Sequence, residues 1–344
     1  MSQNTEEILT EILSNRTTKR YLLSESFFVF IRLYLKHYFR LGIPLFQEDM
    51  IRHLENRKIP ALVVTSFIGG GKSTIISMAY LLWEALRTSE KKVIVHVSRT
   101  RDDANDLALR IQRELLWNDG IADTYGEADK KLMTRRKIEL PKVNTVLFFT
   151  HLYDEQFNYD IANVLIVDDA FSSEKYARNT KEEFELLRKM IHGRDYARVV
   201  VSSSMHHREG VMARLLLIKK FGKKLSYPIV DDTGQILWEK KYGKEDIAAL
   251  RKNVGENNWH KSYLLDLRTV RYMHYWMADR GHNWSTFKDA KEKKAYHEKW
   301  YKNTVFFDKN ITLGKYKFTS PKFGQTNVFR KQGEEASKDD NWFD

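Results

Sequence analysis

Apolar positions along the chain switch repeatedly between two periods, and the order of the switches predicts an α/β protein. Over residues 6–40 they recur at helical spacing, with Phe27, Phe28, Phe30, Ile31, Leu33, Tyr34 and Tyr38 on one broad face. Gly42-Ile43-Pro44 breaks that run, and Leu45-Phe46-Gln47-Glu48-Asp49-Met50 opens the next helix. The β-prone run Ala61-Leu62-Val63-Val64-Thr65 follows as a buried strand. Helical spacing returns over 73–86, where Ile75, Ile76, Ala79, Leu82 and Leu86 repeat. Next come an apolar strand over 92–98, a helix over 102–116, a short β pair over 134–140 and 145–150, and a loop over 154–161. The runs Asn163-Val164-Leu165-Ile166-Val167 and Ala197-Arg198-Val199-Val200-Val201 are almost continuously apolar, as strands of a parallel sheet are when both faces are covered. Beyond them the pattern predicts a helix over 211–221. Ile236-Leu237-Trp238-Glu239-Lys240-Lys241-Tyr242 then leads into a helix carrying Ile247, Leu250 and Val254. From about Arg271 the chain is rich in Trp, Tyr, His and Lys with little periodicity, and 333–344 reads as disordered.

The junction between the first strand and its helix is Ser66-Phe67-Ile68-Gly69-Gly70-Gly71-Lys72-Ser73-Thr74. A strand, a glycine loop and a helix start ending in Gly-Lys-Ser form a phosphate cradle. Gly69, Gly70 and Gly71 let backbone N–H groups close around an anion, the helix directs its positive end at the same point, and Lys72 adds a mobile cation. Ser73 offers its hydroxyl to Mg²⁺, and Thr74 continues into the helix. Ser66 stands where the G-x-x-x-x-G-K-[ST] pattern has its first glycine.

The other half of an ATP site is an apolar strand that ends in acids, and Val164-Leu165-Ile166-Val167-Asp168-Asp169 supplies it. Asp168 would hold Mg²⁺, directly or through water, while Asp169 orients the attacking water. Ser202-Ser203-Ser204 ends the next strand, where hydroxyls can sense a γ-phosphate; alone, such a run is a loop. Gln47, on the helix before the cradle, is placed to hydrogen-bond adenine or to lie on the surface. Arg99-Thr100-Arg101 follows the 92–98 strand and reads either as a phosphate or nucleic-acid contact or as solvated charge.

Charge narrows the partners. Lys and Arg number 58 against 46 Asp and Glu, a formal net charge of +12, which favours a polyanion and by itself fits nucleic acid and membrane headgroups equally. Lys219, Lys220, Lys223 and Lys224 form a basic cluster that reads as a DNA contact or as a solvated helix end. The absence of cysteine excludes disulfides, thiol nucleophiles and thiolate metal sites. His206-His207 has no cluster of further ligands nearby and reads as a loop rather than a metal site. Neither H-E-x-x-H nor G-x-S-x-G occurs, so zinc hydrolase and serine esterase readings lack their residues. No run of about eighteen apolar residues exists, and the N-terminus has neither a basic start nor an apolar h-region. A soluble, non-secreted protein is expected, and the apolar fraction of 42% is enough for a substantial core.

With cradle, acids and hydroxyls in this order, the chain resembles the ATPase part of a tailed-phage terminase large subunit over residues 25–267. Leu237-Trp238-Glu239-Lys240-Lys241-Tyr242, continuing through Asp246, Leu250 and Gly255 to Tyr263-Leu264, resembles that family's linker. The resemblance implies a RecA-like, additional-strand P-loop ATPase core of mostly parallel sheet over 59–230. A helical region with the adenine-contacting helix precedes it over 1–58, a linker covers 231–270, and an aromatic, basic region covers 271–344. It implies ATP and Mg²⁺ as cofactors, double-stranded DNA as partner, a homo-oligomeric ring on a portal, a small terminase subunit or separate nuclease chain, no membrane, and the cytoplasm of an infected host cell. Lys72 would neutralise phosphate, Ser73 and Asp168 hold the metal, Asp169 position water, and Ser202, Ser203 and Ser204 couple hydrolysis to motion.

Two departures stand out. Ile68 occupies the place where the family has a cradle arginine, so a charge-stabilising arginine comes from Arg99, Arg101, Arg135, Arg136 or Arg194, or from a neighbouring subunit. The family's nuclease domain has no counterpart, because the residues after Leu267 are too few and Asp279, Asp289 and Asp308 do not end convincing strands. It is missing, on another chain, or replaced. Two other readings remain open: a helicase-like remodelling ATPase, and a nucleotide-gated DNA-binding assembly protein.

Overall fold

The computed structural model describes residues 15–171, 177–205, 210–218, 221–231 and 233–265, and the short antiparallel pair Ile311–Leu313 and Tyr316–Phe318. Seven strands make one mostly parallel sheet with flanking helices: β1 (Ala61–Ser66), β2 (Lys92–Ser98), β3 (Lys137–Leu140), β4 (Thr145–His151), β5 (Val164–Asp168), β6 (Arg198–Ser203) and β7 (Lys223–Tyr227). Their order is β3-β4-β2-β5-β6-β1-β7. β2 runs parallel to β4 and β5, and β5 parallel to β6, while β3 pairs antiparallel with β4. Parallel neighbours end on one edge, and the register sets Asp168 opposite Ser202 there.

The chain forms two compact units. The first holds the described residues of Met1–Leu62, Gly71–Ala170 and Gly193–Ser202. Its sheet core is aliphatic, with Ile94, Val95, Val97, Leu147, Leu165, Ile166, Val167 and Val200 all buried. After β2 the helix Arg101–Trp117 starts in a capping box: Asp103 N–H donates to Thr100 Oγ1 at 3.1 Å, and Thr100 N–H to the Asp103 carboxylate at 3.2 Å. The helices Arg16–Glu25 and Phe27–Tyr34 bury Leu23, Phe27, Phe30 and Ile31. Phe27 stacks on Trp83 at 5.2 Å and meets Tyr80 edge-on at 5.7 Å, while the Trp83 indole N–H donates to the Leu23 carbonyl at 2.6 Å. Arg198, at the start of β6, donates to the carbonyls of His53, Leu54 and Asn56 and so closes the end of the helix Leu45–Glu55. The next residue, Val199, donates its N–H to Pro60 at 2.8 Å, which ties β6 to the entry of β1.

Beyond the glycine loop the helix begins as a wide, π-type turn over Thr74–Tyr80, where Leu81 N–H reaches back to the Ile76 carbonyl, and continues as Leu81–Leu86.

The second unit holds the described residues of Val63–Gly70, Phe171–His192 and Ser203–Asp344, with helices Ala177–Ile191, Val211–Leu217 and Lys244–Asn258. Here Phe67 N–H donates to the Tyr227 carbonyl at 3.0 Å and Thr65 Oγ1 to that of Leu225 at 3.3 Å, which places β7 beside the end of β1.

One expectation is corrected. The helix expected over 211–221 stops at Leu217, and Lys223 and Lys224 open β7 instead of ending a helix. There Leu225 and Tyr227 are buried, so the alternation that matters is that of an edge strand. As expected, the β6 strand ends in the serine run, with Ser202 and Ser203 inside it. Lys219, Lys220, His206, His207, Asp279, Asp289, Asp308 and the 333–344 tail lie outside the described residues. Among the described residues no helix is long and apolar enough to cross a membrane.

Candidate phosphate and metal site

Asp168 is the last residue of β5 and is 6% exposed. Both of its oxygens are engaged: Ser77 Oγ donates to Oδ2 at 2.6 Å and Ser202 Oγ to Oδ1 at 2.5 Å. Burial, then the neighbouring Asp169 charge, push the Asp168 carboxyl above the usual range, while Lys72 and the two hydroxyls act the other way. At Asp169 the backbone turns left-handed, with φ of 46°, and its N–H donates to the Ser202 carbonyl at 2.9 Å. Asp tolerates this region better than a branched residue does. The turn sets the Asp169 side chain 45% exposed, in an ion pair with the buried Lys72 ammonium.

The glycine loop needs its glycines for two separate reasons. Gly69 and Gly71 have φ of +83° and +84°, the left-handed region. At Gly70 a Cβ would stand 2.3 Å from Ser66 Oγ and 3.1 Å from the Phe67 carbonyl, so no side chain fits. Ser66, the departure from the usual loop pattern, thus fills the space that a bare Gly70 leaves. Gly70 N–H closes the turn onto the Phe67 carbonyl at 3.0 Å, and Lys241 Nζ donates to the Gly69 carbonyl at 2.7 Å. Ser73 follows Lys72 in right-handed helical conformation and is half-buried, as is Thr74.

Behind Asp168 lies a polar chain in an apolar setting. His96, buried in β2, brings Nε2 to 2.9 Å from Ser77 Oγ, and its Nδ1 lies 3.4 Å from Ser98 Oγ. Burial foremost, then Arg110, lower the imidazole to about 3, so it is neutral. Because the Ser77 proton goes to Asp168, Ser77 Oγ accepts from His96, which assigns the ring proton to Nε2.

The remaining sequence-predicted residues distribute unevenly. Gln47 is buried in the helix Leu45–Glu55, at 1% exposure. Arg99 and Arg101 are exposed just past β2, on the edge where Asp168 lies. Arg135 and Arg136 are exposed before β3, and antiparallel pairing with β4 puts them toward the same edge; Arg136 pairs with Asp154 at 3.0 Å. Arg194 precedes β6, at the opposite end of the strands, and pairs with Asp160 at 2.7 Å. Ser203 and Ser204 are buried in the second unit.

Among the described residues no three acidic, histidine or cysteine side chains cluster as a metal cage. Mg²⁺ does not need one, since it is held by one or two carboxylates with phosphate oxygens and water. Asp168 and the Ser73 hydroxyl, next to the Lys72–Asp169 pair, are donors of that kind.

No protein-family model matches the chain, and no curated protein matches it. Among solved structures it is similar to the large terminase of bacteriophage HK97, with 11% identity and a TM-score of 0.43, covering 72% of this chain and 48% of that one. It is also similar to the ATPase domain of the Thermus phage P74-26 large terminase, with 14% identity and a TM-score of 0.44, covering 66% of this chain and 96% of that one. The chain therefore spans about half the length of the HK97 protein.

Proposed function

We propose that the chain is a Mg²⁺-dependent P-loop ATPase of terminase type, whose hydrolysis cycle moves double-stranded DNA into a procapsid. One observation carries the reading: the glycine-loop lysine, Lys72, lies against Asp169 at the end of the acid-tipped strand, with Asp168 behind it. The order of cradle, acids and strand hydroxyls in the sequence, and the net charge of +12, support the DNA-translocating form of it.

The residues divide the work by accessibility. Lys72 is a buried cation whose charge is met by Asp169, so a phosphate that enters the glycine loop competes for it. When Lys72 turns to phosphate, the half-exposed Asp169 carboxylate is released to orient a water and accept its proton. Bound Mg²⁺, held by Ser73 and Asp168, would neutralise charge on the β- and γ-phosphates. Ser202 gives its hydroxyl to Asp168 and accepts the Asp169 N–H on its backbone carbonyl, so it is joined to both acids. Arg99, Arg101, Arg135 and Arg136 share the edge from which a stabilising arginine reaches the site, within the chain or from a neighbour in a ring.

Steady-state hydrolysis with and without duplex DNA tests this. Duplex DNA is expected to stimulate turnover, and Lys72→Ala and Asp169→Asn each to lower kcat by about 10²–10⁴-fold with the fold intact. Displacement of a triplex strand, without separation of the duplex, is the expected signature of tracking. Turnover that survives both substitutions rejects the assignment, and duplex separation points to the helicase-like reading instead.

A further inference from the structure

We infer that Ser77 and His96 are positioning residues for the metal-side carboxylate, a relay of two side chains that holds Asp168 from behind. The inference rests on the Mg²⁺–nucleotide reading of the site.

A serine hydroxyl has one proton and rotates freely, so by itself it is a weak anchor. Ser77 is not by itself. Its Oγ sits between Asp168 Oδ2 at 2.6 Å and His96 Nε2 at 2.9 Å, and all three side chains are buried. The imidazole is neutral and has one N–H to give, and Ser98 Oγ lies on the Nδ1 side as the complementary donor. With Nε2–H donated to Ser77 Oγ, the Ser77 proton is left to Asp168, and the carboxylate receives a donor of fixed direction. Ser202 supplies the second donor from the other side. Asp168 is thus held by β2 through His96, by β6 through Ser202, and by the wide helical turn through Ser77.

Ser77 falls in the middle of the Thr74–Tyr80 turn, one short step beyond the Ser73 that the loop pattern assigns to the metal. Two serines would then take two tasks: the loop pattern assigns Ser73 to the metal, and Ser77 holds the acid. Outer partners that orient a metal ligand are worth about 10–100-fold in metal affinity or activity when removed. Their loss registers in the metal and not in the metal-free nucleotide.

The test uses the full-length protein and Mn²⁺ as a spectroscopic stand-in for Mg²⁺. Mn²⁺ binding is followed by electron paramagnetic resonance at saturating ADP, beside binding of a fluorescent ATP analogue in EDTA. His96→Leu and Ser77→Ala are expected to raise the half-saturating Mn²⁺ concentration about 10–100-fold and to leave nucleotide binding in EDTA unchanged. His96→Gln, which keeps an N–H close to the Nε2 position, is expected to stay near wild type. Unchanged Mn²⁺ binding in His96→Leu overturns the inference while leaving the ATPase reading in place. So does an equal loss in His96→Gln and His96→Leu accompanied by equally lowered melting temperatures, since that is a packing role. A wild-type protein that binds no nucleotide removes the reading itself, and the inference with it.

Discussion

His96 is the lone imidazole of β2, and its protonation is penalised by burial and by Arg110. The unfolded chain takes up a proton near the ordinary value of 6.5, whereas the folded protein resists until about 3. Stability from this group is therefore complete above 6.5 and falls as the pH drops toward 3, by about 1.4 kcal/mol per unit. Asp168 has the opposite sign, because a raised folded pKa means that acid relieves its cost. In urea titrations between pH 6.5 and 5, wild type is expected to lose about 2 kcal/mol more than His96→Gln, and parallel curves would contradict this. The residues differ in how legible they are. Lys72 and Asp169 announce themselves through neighbours in the chain, a glycine loop and an apolar strand. Ser77 and His96 do not, because a serine among Ile75, Ile76 and Met78, or a histidine among valines, looks like core; their meaning comes only from the pairing of β2 with β5.

Elements show the same division. The continuous apolar runs of β5 and β6 are readable because a parallel strand buried on both faces has little room for polar residues. β7 is hard to read: Lys223-Lys224-Leu225-Ser226-Tyr227 is short and opens on two lysines, which are tolerated at a sheet edge and mimic a basic helix end. The wide turn after the glycine loop could not be foreseen either, since Thr74–Tyr80 has the same spacing of apolar residues as an ordinary helix. The helix it enters is anchored at Trp83, which is 1% exposed, stacks on Phe27 and hydrogen-bonds the Leu23 carbonyl. Trp83→Ala is expected to lower the unfolding free energy by about 3–5 kcal/mol in urea titration. A loss within about 0.5 kcal/mol, typical of a surface site, would show that the N-terminal helices do not depend on this contact.

On the scale of the whole molecule, the sheet performs a task that no local segment can. Lys72 and Asp169 are 97 positions apart in the chain and meet as an ion pair where parallel strands end. β6 lies between β1 and β5 in the strand order, so its serine is carried to the acids by topology rather than by sequence. The net charge of +12 indicates the sign of a partner without indicating its place on the surface, and is the least specific feature read from the chain. The central claim is that a nucleoside triphosphate takes Lys72 away from Asp169. Calorimetric titration of the wild-type protein and Lys72→Ala with ATP and Mg²⁺ tests it most directly. A charge-assisted contact of about 1.5–3 kcal/mol predicts saturable binding by wild type and affinity about 10–100-fold weaker in the variant; equal affinities, or no binding by wild type, would contradict the account.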